Sequence, residues 1–170
     1  MTQKIMFQFP GQGSQAVGMG GSLAEAFPVA RAVFEEVNDA LGEDLFRLMQ
    51  DGPEDDLRLT RNAQPALFAA SMAALAVLKE KTGKDLSALA SFVAGHSLGE
   101  YSALAAAGTL AIGDAARLLR LRGDSMQDAV PAGEGAMAAI LGTEEAVIDE
   151  ITAEASAGGV IQLANDNAPG

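Results

Sequence analysis

The first apolar run, residues 4–9 (KIMFQF), is cut off by Pro10 and Gly11, and its length and sharp end predict a buried strand. The spacing then turns helical. Pro28 suits a first helical position, Val29, Val33, Phe34, Val37 and Leu41 recur at helical intervals, and Gly42 stops the run, predicting a helix over 28–41. Residues 44–49 add a turn or two. Residues 65–81 are rich in Ala and Leu, hold no β-branched residue before Val77 and stop at Gly83, predicting a largely buried helix. Residues 91–94 (SFVA) predict a strand running into GHSLGE, and 98–107 a helix after it. Asp114 is placed to N-cap a helix to Ala129, and PAGEG at 131–135 breaks the chain. Beyond that point 136–141 predicts a strand, 143–155 an acidic helix and 160–163 another strand, a β-α-β tail that reads as half of a small second subdomain. The sequence shows no internal repeat and no low-complexity segment.

Composition narrows the class. The chain has 170 residues, 49% of them hydrophobic, and a chain of that length can bury roughly 70% of its unfolded surface in one core. Alanine supplies 34 residues and glycine 19, which favours close-packed helices and tight turns over an all-β sandwich. With no cysteine, disulfides, thiol catalysis and Cys-based zinc sites are excluded, and a single His excludes a His-rich metal site. The formal net charge of −12 argues against a nucleic-acid partner, which needs clustered Lys and Arg. The N-terminal MTQKIMFQFPGQG lacks the apolar core and cleavage site of a signal peptide, and the longest apolar stretch, 65–78, falls short of the ~20 residues a membrane span needs. The expectation is a soluble, cytoplasmic protein.

The segment richest in chemistry is Gly95-His96-Ser97-Leu98-Gly99, a G-x-S-x-G between a predicted strand and a predicted helix. A serine at such a turn exposes its Oγ, the glycines allow the crowded backbone, and the helix start makes the Leu98 N–H a natural oxyanion donor. The plainer alternative is a serine that only caps the helix. A serine nucleophile needs a base, and the only histidine, His96, is its immediate neighbour, with a side chain expected on the opposite face. His96 is therefore read as a packed or hydrogen-bonded residue beside the turn. A second glycine-rich segment, FPGQGSQ at 9–15, admits three readings: a loose dinucleotide fingerprint (Gly11, Gly13, Ala16), a loop that brings the Gln12 backbone in as a second oxyanion donor, or a plain turn. The first requires a second strand ending in an acidic residue about 20 positions on. Here Glu35 and Glu36 fall inside a helical pattern.

A helical wheel over 114–129 places Ala115, Leu118, Leu119, Met126 and Ala129 on one face and Arg117, Arg120, Asp124, Gln127 and Asp128 towards the other. Arg122 falls in the middle of the apolar face. Such a guanidinium calls for a carboxylate, supplied either within the chain or by a substrate. Arg117 and Arg120 are expected in solvent, and Lys79, Lys81 and Lys84 form a further basic patch.

GQGSQ at 11–15, QPA at 64–66, GHSLGEYSAL at 95–104, RGDSMQ at 122–127, GAMAAI at 135–140 and the terminal NDNAPG together resemble the malonyl-CoA:acyl carrier protein transacylases and the related acyltransferase domains of polyketide and fatty acid synthases. The resemblance runs along the whole chain in order. It implies an α/β fold, with 1–133 forming part of an α/β-hydrolase-like large subdomain that carries the nucleophile and 134–170 beginning an inserted ferredoxin-like small subdomain. It implies that Ser97 takes a malonyl group from malonyl-CoA through an intermediate held by the backbone N–H groups of Gln12 and Leu98. Arg122 would pair with the malonyl carboxylate, and Gln64, His96, Met126 and Asn167 would line the site. The acyl group would pass to the phosphopantetheine thiol of acyl carrier protein, in fatty acid biosynthesis, in a monomeric parent enzyme that needs no metal and no redox cofactor.

Family members carry their catalytic His downstream of the small subdomain. The 170 residues are therefore expected to be an N-terminal portion of a longer enzyme, inactive alone, with apolar surface exposed on the half-built second subdomain. Two other classes compete. A serine esterase shares G-x-S-x-G, but several strands usually precede the elbow in that fold and only 4–9 does so here. A non-enzymatic module that holds a carrier protein or a complementary fragment would explain the missing base.

Overall fold

The structure, a computed structural model, describes residues 4–131 and 133–167. The first three residues of the N-terminal segment, Ala132 of the PAGEG break and the last three residues of the NDNAPG motif lie outside the described residues. The chain divides into two compact units, Met1–Ala132 and Gly133–Gly170. The first is α/β, mostly helical around a small parallel sheet.

Strand β1 (Met6–Phe9) pairs in parallel with β2 (Phe92–Gly95), in a register that puts Met6 opposite Phe92 and Phe9 opposite Gly95. A parallel pair needs a crossover, and six helices fill it. They are α1 (Gly21–Ala26), α2 (Pro28–Leu41), α3 (Leu45–Asp51), α4 (Glu54–Arg58), α5 (Thr60–Thr82) and α6 (Leu86–Leu89). Helices α7 (Leu98–Ala106) and α8 (Ile112–Ala129) follow β2.

Helix α2 has the bounds its punctuation predicts. Pro28 presets the first helical φ, and Ala30, Val33, Phe34 and Val37 are buried at i, i+3, i+4 and i+7. Gly42 closes the helix in the left-handed region at φ 67°, where its N–H reaches the Asn38 and Asp39 carbonyls. Glu35 and Glu36 lie within this helix, so the second strand that a dinucleotide site requires is absent there. Asp44 N-caps α3 by accepting the Arg47 N–H at 3.1 Å, and Phe46 stacks on Phe34 at 4.2 Å between ring centroids. The core is the packing of α2, α5 and α8 on one another, with Phe34, Phe68, Met49, Leu57 and Leu119 almost wholly buried.

Two helices depart from expectation, and one contact explains both. Helix α5 starts at Thr60, five residues ahead of the predicted start at Pro65, so Pro65 sits inside it. Proline has no N–H to give the carbonyl of residue i−4, which here is Arg61. The Nη1 of Arg120 on α8 donates to that carbonyl at 2.6 Å. Arg120, expected in solvent, has a side chain only 13% exposed, whereas Leu118 and Met126, expected on the buried face, are 42% and 44% exposed. Helix α8 has turned so that the small residues Ala115, Ala116 and Gly123 face inward. At Gly123 a Cβ would stand 2.6 Å from the Arg61 Cα and 3.0 Å from the Thr60 carbonyl oxygen, so only glycine admits this approach to α5. Asp114 is not the N-cap. The helix begins at Ile112, which packs on the core, and Asp114 lies in the first turn and accepts from Arg117 Nη2 at 2.5 Å.

In the second unit α9 (Glu145–Ala155) runs into a 3-10 turn at Ser156–Gly158. The predicted strands at 136–141 and 160–163 do not form, because a strand exists only with a ladder partner and neither segment has one among the described residues. Met137, Leu141 and Val160 are 78%, 84% and 94% exposed.

Candidate functional site

Both strands of the parallel pair end together at Phe9 and Gly95, and the chain turns sharply at each. Clefts at the carboxyl ends of parallel strands are the usual place for chemistry in α/β folds. After β2, Ser97 adopts φ 55° and ψ −114°, the only positive φ at a non-glycine among the described residues. A non-glycine residue held there costs on the order of 1–3 kcal/mol and persists only where its surroundings impose it. Those surroundings are visible. A Cβ at Gly95 would fall 1.9 Å from the Gly99 carbonyl oxygen, and one at Gly99 would fall 2.4 Å from the Phe9 carbonyl oxygen. The two glycines of G-x-S-x-G are thus required by crowding against α7 and β1, and the turn they permit leaves Ser97 exposed.

Leu98 is the first residue of α7, so its N–H lies outside the intrahelical bonds at the positive end of the helix. The loop after β1 lies against the same turn. The His96 N–H donates to the Phe9 carbonyl at 3.2 Å, and a Cβ at Gly11 would stand 2.6 Å from His96 Nδ1. Gln12 follows, its side-chain amide donating to Thr60 Oγ1 at 3.3 Å and so tying the loop to the start of α5. Gln8, Phe9, Pro10, Gly11, Gln12 and His96 line a pocket of about 400 Å³ beside the elbow.

Arg122 projects from α8 to this place. Its Nη2 donates to Ser97 Oγ at 3.0 Å and its Nη1 to Gln64 Oε1 at 2.5 Å. Gln64 is fully buried, and its Nε2 donates in turn to Met126 Sδ at 3.3 Å. The Arg122 guanidinium also lies 6.0 Å from the centroid of the Tyr101 ring. Neither hydrogen-bond partner of Arg122 is a carboxylate, and among the described residues none forms an ion pair with it. The other half-buried arginine of the helix differs. Arg120 donates to Asn62 Oδ1 at 2.7 Å and meets Glu43 through Nη2, with burial lowering its pKa and Asp124 partly offsetting that.

Ser97, Leu98, Gln12, Arg122, Gln64, His96 and Met126 are therefore gathered at one end of the sheet in the first unit. Asn167 belongs to the second unit, at an exposed position. Sequence periodicity left out Tyr101 and Thr60, which touch Arg122 and Gln12, and it put Arg120 in solvent. Pro65 points to Arg120 only once α5 is seen to start at Thr60, because a proline inside a helix leaves a carbonyl in need of a donor. Of the basic patch, Lys81 lies over the Phe27 ring, 4.7 Å from its centroid. Among the described residues no group of three or more His, Asp or Glu side chains could hold a metal ion, and no helix is long and apolar enough to cross a membrane.

A strained serine on a strand-to-helix elbow, facing a helix N-terminus and a guanidinium with no ion pair among the described residues, marks an acyl-transfer domain built around a serine. The chain belongs to the acyl transferase domain family, whose profile matches residues 6–160. Over all 170 residues it is 48% identical to the malonyl CoA-acyl carrier protein transacylase of Escherichia coli K12, covering 53% of that protein. Among solved structures it is similar to an acyl-carrier-protein-S-malonyltransferase from Bartonella henselae, with a TM-score of 0.90, 55% identity, and coverage of 97% of this chain and 52% of that one. It is also similar to a malonyl-transacylase in complex with a type II polyketide synthase acyl-carrier protein, with a TM-score of 0.83, 49% identity, and coverage of 93% and 50%. The chain spans about half the length of the curated relatives it matches.

Proposed function

We propose that these residues form the nucleophile-bearing part of a malonyl-CoA:acyl carrier protein transacylase of fatty acid biosynthesis. The observation that carries the reading is the contact of Arg122 with Ser97 Oγ, a cation with no ion pair among the described residues placed at the nucleophile. A malonyl group has a thioester at one end and a carboxylate at the other, and it needs both features within one short reach. A neutral ester needs only the first, which disfavours the esterase reading.

In this mechanism Ser97 Oγ attacks the thioester carbonyl carbon of malonyl-CoA while the malonyl carboxylate pairs with Arg122. The oxyanion of the tetrahedral intermediate accepts hydrogen bonds from the backbone N–H groups of Gln12 and Leu98, fixed donors that need no reorganisation as charge develops. The C–S bond then breaks, coenzyme A leaves as the protonated thiol, and malonyl remains esterified to Ser97. The phosphopantetheine thiol of acyl carrier protein attacks that ester and regenerates the serine. The proton of Ser97 passes to a general base other than His96, which packs against the Gly11 loop. Gln64 holds Arg122 and is itself held by Met126 Sδ.

The finer architecture belongs to the same proposal. The first unit is part of an α/β-hydrolase-like large subdomain, and the second begins an inserted ferredoxin-like subdomain. The full enzyme acts as a cytoplasmic monomer on malonyl-CoA and acyl carrier protein, with no metal or redox cofactor. The test is transfer of malonyl from malonyl-CoA to a phosphopantetheinylated acyl carrier protein by the complete enzyme, read as a mass increase on the carrier. Loss of transfer in Ser97→Ala supports the proposal, and unchanged transfer in that variant overturns it.

A further inference from the structure

We infer that Arg120 is a positioning residue for the acyl-carboxylate site, acting by filling the hydrogen-bond gap that Pro65 opens in α5 and so fixing where α8 holds Arg122. The inference rests on the reading of Arg122 given above. Pro65 leaves the Arg61 carbonyl without its helical donor, one turn before Gln64. Arg120 Nη1 fills the gap at 2.6 Å and also reaches Asn62 Oδ1 at 2.7 Å, while Nη2 meets Glu43 from the connection between α2 and α3. One guanidinium thereby joins three segments. The next turn of α8 lies against the same stretch of α5: Gly123 allows the close backbone approach, and Asp124 pairs with Arg61 at 2.9 Å. With 120, 123 and 124 fixed on residues 60–62, α8 has one register on α5, and that register sets Arg122 Nη1 on Gln64 and Nη2 on Ser97.

A general structural role would lower every activity together. A positioning role separates charged from uncharged acyl groups, because only the carboxylate needs Arg122. The complete enzyme is compared with its Arg120→Met, Arg120→Lys, Pro65→Ala and Arg120→Met/Pro65→Ala variants, using malonyl-CoA and acetyl-CoA as donors. Arg120→Met is expected to lower kcat/KM for malonyl by about tenfold, mainly through KM, while acetyl transfer falls less than about threefold. Arg120→Lys, which reaches one acceptor but not three, is expected to fall between wild type and Arg120→Met and serves if the methionine variant does not fold.

Pro65→Ala returns an N–H to the Arg61 carbonyl, so in that background the loss from Arg120→Met should shrink to about threefold. Equal losses for the two donors, or no recovery with Pro65→Ala, overturns the inference. Denaturant midpoints for wild type, the two single variants and the double variant read the Arg120–Pro65 tie without any substrate. Additive shifts overturn the inference while leaving the functional reading intact. A wild-type enzyme that transfers no malonyl overturns the functional reading even where the shifts are non-additive.

Discussion

Replacing Arg122 by Met keeps an unbranched stem of similar bulk and removes the charge, which isolates what the guanidinium contributes. Two effects follow, and they are separable. The buried Gln64 Oε1 loses its donor, and an orphaned buried acceptor costs about 1–2 kcal/mol of stability. For a chain of this size each kcal/mol shifts Tm by roughly 2–4 °C, so a Tm lower by a few degrees is the expected mark of this effect. The second effect is on malonyl. A carboxylate about 4 Å from the guanidinium gains roughly 4 kcal/mol at an effective dielectric of 20. Arg122 is only half-buried, so water screens part of that gain and about 2–3 kcal/mol is the reasonable expectation. At 1.36 kcal/mol per tenfold this is a loss of about 30- to 150-fold in malonyl kcat/KM. Acetyl transfer by the same protein should change by less than about threefold, since acetyl has no group for Arg122 to hold. The assay is steady-state transfer to carrier protein from each donor by the complete enzyme, with Tm recorded alongside. A parallel fall for both donors would refute the reasoning, because it would assign Arg122 to the serine and not to the acyl carboxylate.

Other substitutions probe the elbow and its support. Ser97→Gly should abolish transfer yet unfold at a higher denaturant midpoint than Ser97→Ala, by about 1 kcal/mol, because glycine tolerates φ 55°. Gly95→Ala drives a methyl into the Gly99 carbonyl and should cost about 3 kcal/mol or more, seen as a large midpoint loss or insoluble protein. Gln64→Leu preserves volume but frees Arg122 Nη1, so malonyl KM should rise about tenfold with acetyl transfer nearly unchanged. Phe34→Ala, in the α2 core and remote from Ser97, should cost about 3–5 kcal/mol in unfolding while leaving the donor preference of the folded fraction intact.

What the chain discloses before folding is what it encodes locally. Pro28 and Gly42 mark both ends of α2, and Gly95 with Gly99 marks the elbow, because each of these glycines and prolines acts on its own turn of backbone. The start of α5 was hidden since Pro65 reads locally as a beginning. Only a donor 55 positions further on, Arg120, makes it an interior residue. The same long-range contact turned α8 away from the face that hydrophobicity alone selects, exposing Leu118 and drawing a charged side chain inward. Strand propensity at 136–141 and 160–163 failed for a related reason, because a strand is a property of a pair and propensity sees one member. At the site, the elbow and the glycine loop could be read from spacing. The meeting of Arg122, Gln64 and Ser97 could not, because it depends on how closely Gly123 lets two helices approach.

In the proposed mechanism malonyl resides on Ser97 during transfer. Peptide mapping of the complete enzyme quenched after mixing with malonyl-CoA tests it directly. A malonyl adduct on the peptide carrying Ser97, absent from Ser97→Ala and much reduced in Arg122→Met, is the predicted result. An adduct elsewhere in the chain, or transfer to carrier protein with Ser97 unmodified at every time point, would contradict it.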